Sequence, residues 1–286
     1  MESKVVCYGE VLWDVFPDGK MPGGAPMNVC YHLNQLGIRS TLVSRLGRDE
    51  AGKQLLDFLS KVQIPTDYIQ RDDEWPTGKV LVGLDNEGIA EYEIVKPSAW
   101  DNIQYEKPTS ALPVLVYGSL ASRSEVSFQS LLKYAAMSSL NILDINLRFP
   151  HVNWTTLGQL LHMAHWLKIN EEEMDYLAKK IDLGGSLSEQ FNRLVEKYSL
   201  STILMTRGAD GAICWRDGLM VEANPISIDV VDTVGAGDGF LAGFIASYMV
   251  GKNLEASLSL ATKVGAWVAG CHGATPIYDE FAPGLS

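Results

Sequence analysis

Positive charge is scarce in this chain and nowhere concentrated: 23 Lys and Arg stand against 35 Asp and Glu in 286 residues, a net charge of −12. Nucleic acid and anionic membrane are therefore poor partners, and a polyanionic ligand must be met locally, by backbone N–H groups, a few Arg or Lys, and Mg²⁺. No apolar run approaches the roughly 18 residues of a membrane span. Met1-Glu2-Ser3-Lys4 passes directly into the strand-like Val5-Val6-Cys7-Tyr8, which leaves no room for a signal peptide and predicts a cytoplasmic protein. Cysteine is sparse: Cys7, Cys30, Cys214 and Cys271 are widely spaced among apolar neighbours and read as reduced core thiols. Repeats, low-complexity tracts and charge blocks are also missing.

What the chain does have is apolar residues, 47% of the total, enough for a sizeable core. Short β-rich runs alternate with helical segments: Val5–Tyr8, Thr41–Leu46, Val114–Tyr117, Ile142–Ile145, Trp166–Ile169 and Ile203–Met205 read as strands. Helices fit Val29–Leu36, Gly52–Lys61, Glu125–Met137, Thr155–Ala164, Glu171–Lys179, Leu187–Tyr198, Phe240–Val250 and Leu254–Cys271. Continuous apolar strands separated by helices predict an α/β fold with a mostly parallel sheet covered on both faces, whose ligands bind beyond the carboxyl ends of the strands. Most of the runs do end in polar signatures. Two segments break the alternation, Leu12–Phe16 and Gly78–Val95, the latter with a hairpin at Leu84-Asp85-Asn86-Glu87-Gly88. They predict a small β lid, from about residues 11–20 and 76–100, inserted in a single domain spanning 1–286.

The most specific stretch is Asp232-Thr233-Val234-Gly235-Ala236-Gly237-Asp238. Ile226 to Val231 before it reads as extended, and the apolar run after it as a buried helix, so the glycines stand at a helix N-terminus where unpartnered N–H groups and the dipole favour an anion. A carboxylate at Asp238 would repel a phosphate there, unless it accepts a proton from the group attacking that phosphate. A glycine-rich turn with an acid complementing the dipole fits the same residues. No lysine lies between Ser227 and Gly251, which excludes a Walker-type loop.

Other constellations each carry two readings. Gly23 and Gly24 let backbone approach a ligand, and Asn28 can donate and accept, as a hydroxyl-rich ligand requires; a loop with an Asn cap fits equally. Gly47-Arg48-Asp49-Glu50-Ala51-Gly52-Lys53-Gln54 almost spells a P-loop, but Gln54 replaces the Mg²⁺-binding hydroxyl, so a strand-to-helix turn is expected. Asn170 and Glu173 share a helix face and could order the water shell of a Mg²⁺–phosphate complex, or simply form an acidic first turn. Thr206, Gly208 and Gly211 suit a nucleotide phosphate or a plain hairpin turn. His162 and His165 read as ordinary helix residues.

In order along the chain, Gly9-Glu10 with Asp14, Gly23-Gly24 with Asn28, Gly47-x-Asp49-x-x-Gly52, Asp144-x-Asn146-x-Arg148, Asn170-x-x-Glu173, Thr206-x-Gly208-x-x-Gly211 and the Asp232–Asp238 motif resemble the ribokinase-like (PfkB) carbohydrate kinases. The first two blocks look most like fructokinases, and the lysine that ribokinases often carry after the glycine pair is absent. The resemblance implies a three-layer α/β/α sandwich with a β lid, ATP as phosphoryl donor and Mg²⁺ as cofactor. It implies Asp238 as base, Gly235, Ala236 and Gly237 as anion hole, and Asp14, Gly23, Gly24, Asn28 and Arg148 as sugar contacts. Asn170, Thr206, Gly208 and Gly211 would meet the nucleotide, Glu173 would organise Mg²⁺ through water, and Asp229, with backbone near Val231, Ala269 and Gly273, would sit beside K⁺. Cys271 and His272 depart from the family's usual small residues there. The expected activity is ATP-dependent phosphorylation of a furanose-forming sugar, D-fructose first. The alternatives are ribose, 2-keto-3-deoxygluconate met by Lys79, Lys96 and Arg123, a nucleoside stacked on Trp13, Trp75, Tyr92 or Trp100, and a catalytically silent sensor. A homodimer through an exposed edge of the lid is expected.

Overall fold

The computed structural model describes residues 4–84, 90–108, 111–279 and 282–284. In chain order its elements are β1 (Val5–Tyr8), β2 (Leu12–Phe16), β3 (Gly19–Gly23), α1 (Ala25–Gln35), β4 (Ser40–Gly47), α2 (Glu50–Lys61), β5 (Ile69–Asp72), β6 (Gly78–Leu84), β7 (Ala90–Ile94) and β8 (Leu112–Gly118). There follow α3 (Glu125–Ala135), β9 (Ser138–Asp144), α4 (Trp154–Met163), β10 (Trp166–Asn170), α5 (Glu171–Lys180), α6 (Leu187–Tyr198), β11 (Thr202–Thr206), β12 (Ala212–Arg216), β13 (Leu219–Ala223), α7 (Ala236–Met249) and α8 (Leu254–Ala269). Short 3-10 turns supplement these elements.

Nine strands form one sheet in the order β13-β12-β11-β10-β9-β8-β1-β4-β5. It is parallel from β11 to β5, and β12 and β13 run antiparallel at one end. Alternation along each strand assigns the faces. Val5 and Cys7 point into a core with α1, α2, α7 and α8, while Val6 and Tyr8 point into a second core with α3 to α6. Each fully buried Leu, Ile or Phe in these layers contributes about 1.5–3 kcal/mol, so both faces must be covered. The chain leaves β1 towards β4 on one side and returns at β8 on the other, which opens a crevice at the carboxyl ends of the strands.

A second sheet of four strands, β3-β2-β6-β7, stands apart from the nine-stranded one. The proposed hairpin turn lies at residues mostly outside those described, but its flanking strands β6 and β7 pair antiparallel. The base of this sheet is fixed by Arg123, which pairs with Asp101 at 2.7 Å and stacks 3.9 Å over Trp100. The Gly47-x-Asp49-x-x-Gly52 block is the expected strand-to-helix turn. Asp49 caps α2 through Gly52 N (2.7 Å) and also accepts from Thr77 N (2.9 Å) and Thr77 Oγ1 (2.6 Å), tying β6 to the body.

Ile226–Val231 belongs to no strand or helix, and its end is tied down where Val231 N donates to Ala269 O (2.9 Å). Several expectations are corrected. Met21-Pro22-Gly23 is β3 of the small sheet rather than a free loop, and α1 starts at Ala25 rather than Val29, so Asn28 lies inside the helix and caps nothing. The helix after the glycine motif starts at Ala236 rather than Phe240, which brings Gly237 and Asp238 into its first turn. His165 falls after α4, where its Nδ1 accepts from Asn141 N (2.8 Å). All four cysteines are unpaired; Cys7, Cys30 and Cys214 are buried. Among the described residues no helix is long and apolar enough to cross a membrane.

Candidate active site

The carboxyl ends of β1, β8, β9, β10 and β11 lie side by side, and α7 arrives over them N-terminus first. Gly235 is its N-cap with φ 80°, and a Cβ there would lie 2.5 Å from Ala274 Cβ. Only glycine accepts both the left-handed backbone and the contact. The loop before it is locked by Asp232, which accepts from Val234 N (3.0 Å) and Gly273 N (3.1 Å). Ala236 N donates to Thr233 O (3.2 Å), so an anion would be met chiefly by the N–H groups of Gly237 and Asp238. Gly235 and Ala236 shape the turn.

Asp238 is buried, and its Oδ2 accepts from Asn28 Nδ2 at 2.8 Å. Asn28, expected on the sugar, thus holds the carboxylate, and its own Oδ1 has no partner. Burial first, then the nearby Asp144, pushes the Asp238 carboxyl up to about 7, against the pull of Asn28, Lys168 and Arg148. An acid at that value exchanges its proton readily near neutrality.

Lys168 is the residue sequence reasoning missed. It stands directly across from Asp144 in the β9–β10 ladder, with Nζ 3.0 and 3.2 Å from the two carboxylate oxygens. Both are buried. A lysine two places after Trp166, on the strand face that packs α7, was the available signal: Trp166 meets Phe244 and Tyr248, and Lys168 comes under Gly237.

Asn170 and Glu173 form a capping box at the start of α5: Asn170 Oδ1 accepts from Glu173 N (2.8 Å), and Glu173 Oε2 accepts from Asn170 N (2.9 Å). Glu173 Oε1 accepts from Leu147 N (2.9 Å). Desolvation raises the Glu173 carboxyl, partly offset by Lys168. With each oxygen engaged by an N–H, Glu173 has lone pairs left for water but is poorly placed as a direct Mg²⁺ ligand. Thr206 pairs with Asn170 across β10–β11, so these two nucleotide candidates end side by side. Gly208 and Gly211 lie in the turn joining β11 to the antiparallel β12, so the hairpin reading of that block holds in the backbone.

Asp14 projects from β2, and burial moves its carboxyl up to about 6 against the pull of Arg148, with Asp232 adding to the rise. Gly23 lies beside it, since a Cβ on Gly23 would collide with Asp14 Oδ2, and Gly24 caps α1 against the Glu10 carbonyl. Glu10 is buried with Oε2 unpartnered; desolvation raises its carboxyl against the pull of Arg148 and Arg123. Arg148, exposed after β9, therefore acts on Asp14, Glu10 and Asp238 together. Asp229 is exposed, and the Ala269 carbonyl expected with it around K⁺ accepts from both Val231 N and Asp232 N (2.9 and 3.2 Å). That carbonyl is thus already engaged by two backbone N–H groups. Among the described residues no group of three or more His, Cys, Asp or Glu could hold a metal.

The model of the pfkB family carbohydrate kinases matches residues 2–280. A fructokinase of Salmonella typhimurium is 29% identical over 303 aligned residues, covering 96% of this chain and 95% of that one. Among solved structures, a fructokinase of Xylella fastidiosa with bound ATP superposes with TM-score 0.86 at 23% identity, covering 99% of this chain and 96% of that one. A fructokinase variant of Vibrio cholerae O395 bound to fructose, ADP and potassium gives 0.83 at 24%, covering 96% and 94%.

Proposed function

The chain belongs to the pfkB family of carbohydrate kinases and is an ATP-dependent sugar kinase of ribokinase-like fold, and we propose that its acceptor is D-fructose, phosphorylated at a primary hydroxyl with Asp238 as base. The observation that carries the mechanism is a buried carboxylate in the first turn of α7, its proton affinity raised to about 7. Asp238 takes the hydroxyl proton, the oxygen attacks the γ-phosphorus in line as the bond to the β–γ bridging oxygen breaks and ADP leaves, and the N–H groups of Gly237 and Asp238 meet charge on the transferring group. Mg²⁺, when bound with ATP, would neutralise phosphate charge. Asn170, Thr206 and Glu173 are the residues of this chain that would face it and the nucleotide, Glu173 through water, with Gly208 and Gly211 shaping the turn beside Thr206. Asp14, Gly23, Gly24 and Arg148 would receive the sugar, and Asn28 would both orient the base through Nδ2 and offer its unpartnered Oδ1 to the sugar.

The choice of fructose is supported by the fructokinase relatives and by where the rival contacts lie. Of the three cations that an acidic sugar could use, Lys79, Lys96 and Arg123, the last is committed to Asp101, the Val95 carbonyl and Trp100. Of the aromatic residues a nucleoside would stack on, Trp100 is fully buried and Trp13 is buried with its indole N–H donating to Ala51 O (3.0 Å). Free thiols support a reducing compartment such as the cytoplasm. The outer strand of the small sheet, β3, is largely exposed and supports pairing of two copies there.

An ADP-release assay over fructose, ribose, 2-keto-3-deoxygluconate and a nucleoside tests the acceptor. Fructose should give the highest kcat/KM; a tenfold preference for any other compound would overturn fructose while leaving the kinase assignment intact. Absence of sugar-dependent ADP release with every compound would count against the whole reading of the site.

A further inference from the structure

A buried ammonium under the positive end of a helix is an unfavourable arrangement by itself, because the helix dipole and the charge repel. Here the arrangement is tightly built. Lys168 Nζ holds both oxygens of Asp144, its cross-strand neighbour, and a Cβ added at Gly237 would lie 2.8 Å from that Nζ. Gly237 is therefore the residue that lets the first turn of α7 sit down on the ammonium. Asp238 follows it immediately.

We propose that Lys168 is a positioning residue for phosphoryl transfer: its ammonium, clamped by Asp144 beneath the first turn of α7, sets the potential at which the Asp238 carboxylate takes its proton. Among the described residues, charged or titratable groups bear on that carboxylate from four elements or segments. Cys7 faces it from β1, Asp144 from the end of β9, Arg148 from the following segment, and Lys168 from β10, while Asn28 of α1 supplies the hydrogen bond. Glu173, at the start of α5, also bears on Lys168. Of these, Lys168 and Asp144 act with opposite signs on Asp238, and they are bonded to each other.

The pair therefore has a signature that a merely structural ion pair lacks. Removing Lys168 leaves the repulsion of Asp144 and should raise the proton affinity of Asp238; removing the charge of Asp144 should lower it. The inference rests on Asp238 as base, so two readouts are kept apart. The Asp238 carboxyl is titrated by ¹³C NMR of Asp-labelled protein without ligands, with Asp238→Asn used to assign the signal. The acid limb of kcat is measured on the same proteins. Lys168→Met should move both midpoints up by about one pH unit and Asp144→Asn should move both down. Lys168→Arg should stay near the wild type. The double variant Lys168→Met, Asp144→Asn removes both charges, guards against a folding defect in either single variant, and should return the midpoint to within about half a unit of wild type.

Shifts of the same sign in both single variants, or no shift in either, would overturn the positioning role, and so would a double variant that stays displaced. If Asp238→Asn keeps its kcat, the base assignment fails, and the NMR midpoints still decide whether the pair tunes Asp238.

Discussion

Asp238 carries a proton balance that is visible in both activity and stability. Its carboxyl lies near 7 against an ordinary value of 3.8, raised by burial and then by Asp144. As the base must be ionised, kcat/KM should fall about tenfold per pH unit below about 7, and Asp14, at about 6, should steepen the fall below that point. Replacement of Asp238 by Asn should lower kcat by at least about a hundredfold while sugar binding persists, measured by calorimetry. The stability sign is opposite to the usual carboxylate. With a raised folded value, the native state binds more protons than the unfolded chain between about 4 and 7, so ionisation above 7 costs stability. At pH 8 the Asn variant should melt above the wild type, and the gap should close as pH falls through 7 toward 4. A wild type that melts higher at pH 8 would contradict the raised value.

At the scale of elements, the N-terminus of α7 separates two glycines with different duties. Gly235→Ala puts a Cβ at 2.5 Å from Ala274 Cβ and 2.6 Å from Ala274 Cα on a φ of 80°, and neither backbone can yield cheaply. It should cost about 1–3 kcal/mol of stability in a urea melt. Gly237→Ala meets the Lys168 ammonium that Asp144 clamps, so it too should cost about 1–3 kcal/mol in the same melt. What sets it apart is that kcat should also fall on the order of tenfold or more, since the N–H groups are displaced from the phosphoryl group. The block at the start of α5 was read as either an acidic turn or a metal-ordering face. It is a reciprocal cap, and the Asn and Glu at N-cap and N3 are the sequence signature of that motif. The same spacing that puts the two residues on one helix face also lets each side chain accept from the other's backbone N–H.

At the scale of the whole molecule, the devices that tie the small sheet to the body include the Asp49–Thr77 knot and the buried Arg123–Asp101 pair, each partner of the latter 2% exposed. Arg123→Met would leave the Asp101 carboxylate buried without its cation, a loss of about 3–5 kcal/mol, and thermal melting should register it as a large drop in Tm. Smaller losses would mean that Asp101 finds water. The sequence by itself determined the parallel sheet, the second sheet and the chain of motifs at the strand ends. Those signals are local: apolar runs of strand length, glycines at turns, and polar residues where a run stops. It also marked Asp238, since an acid in a glycine turn that leads into a helix is legible from spacing alone, although only the structure puts it inside the first turn. Tertiary structure alone decided what those residues touch. Asn28 and Asp238 are 210 positions apart and meet through one hydrogen bond, and Lys168 becomes part of the site only because β9 lies beside β10 and α7 lies on top of both. Periodicity reports which face a side chain occupies, but the partner across that face is set by strand order and helix docking. The charge that tunes a buried acid is therefore decided at that level.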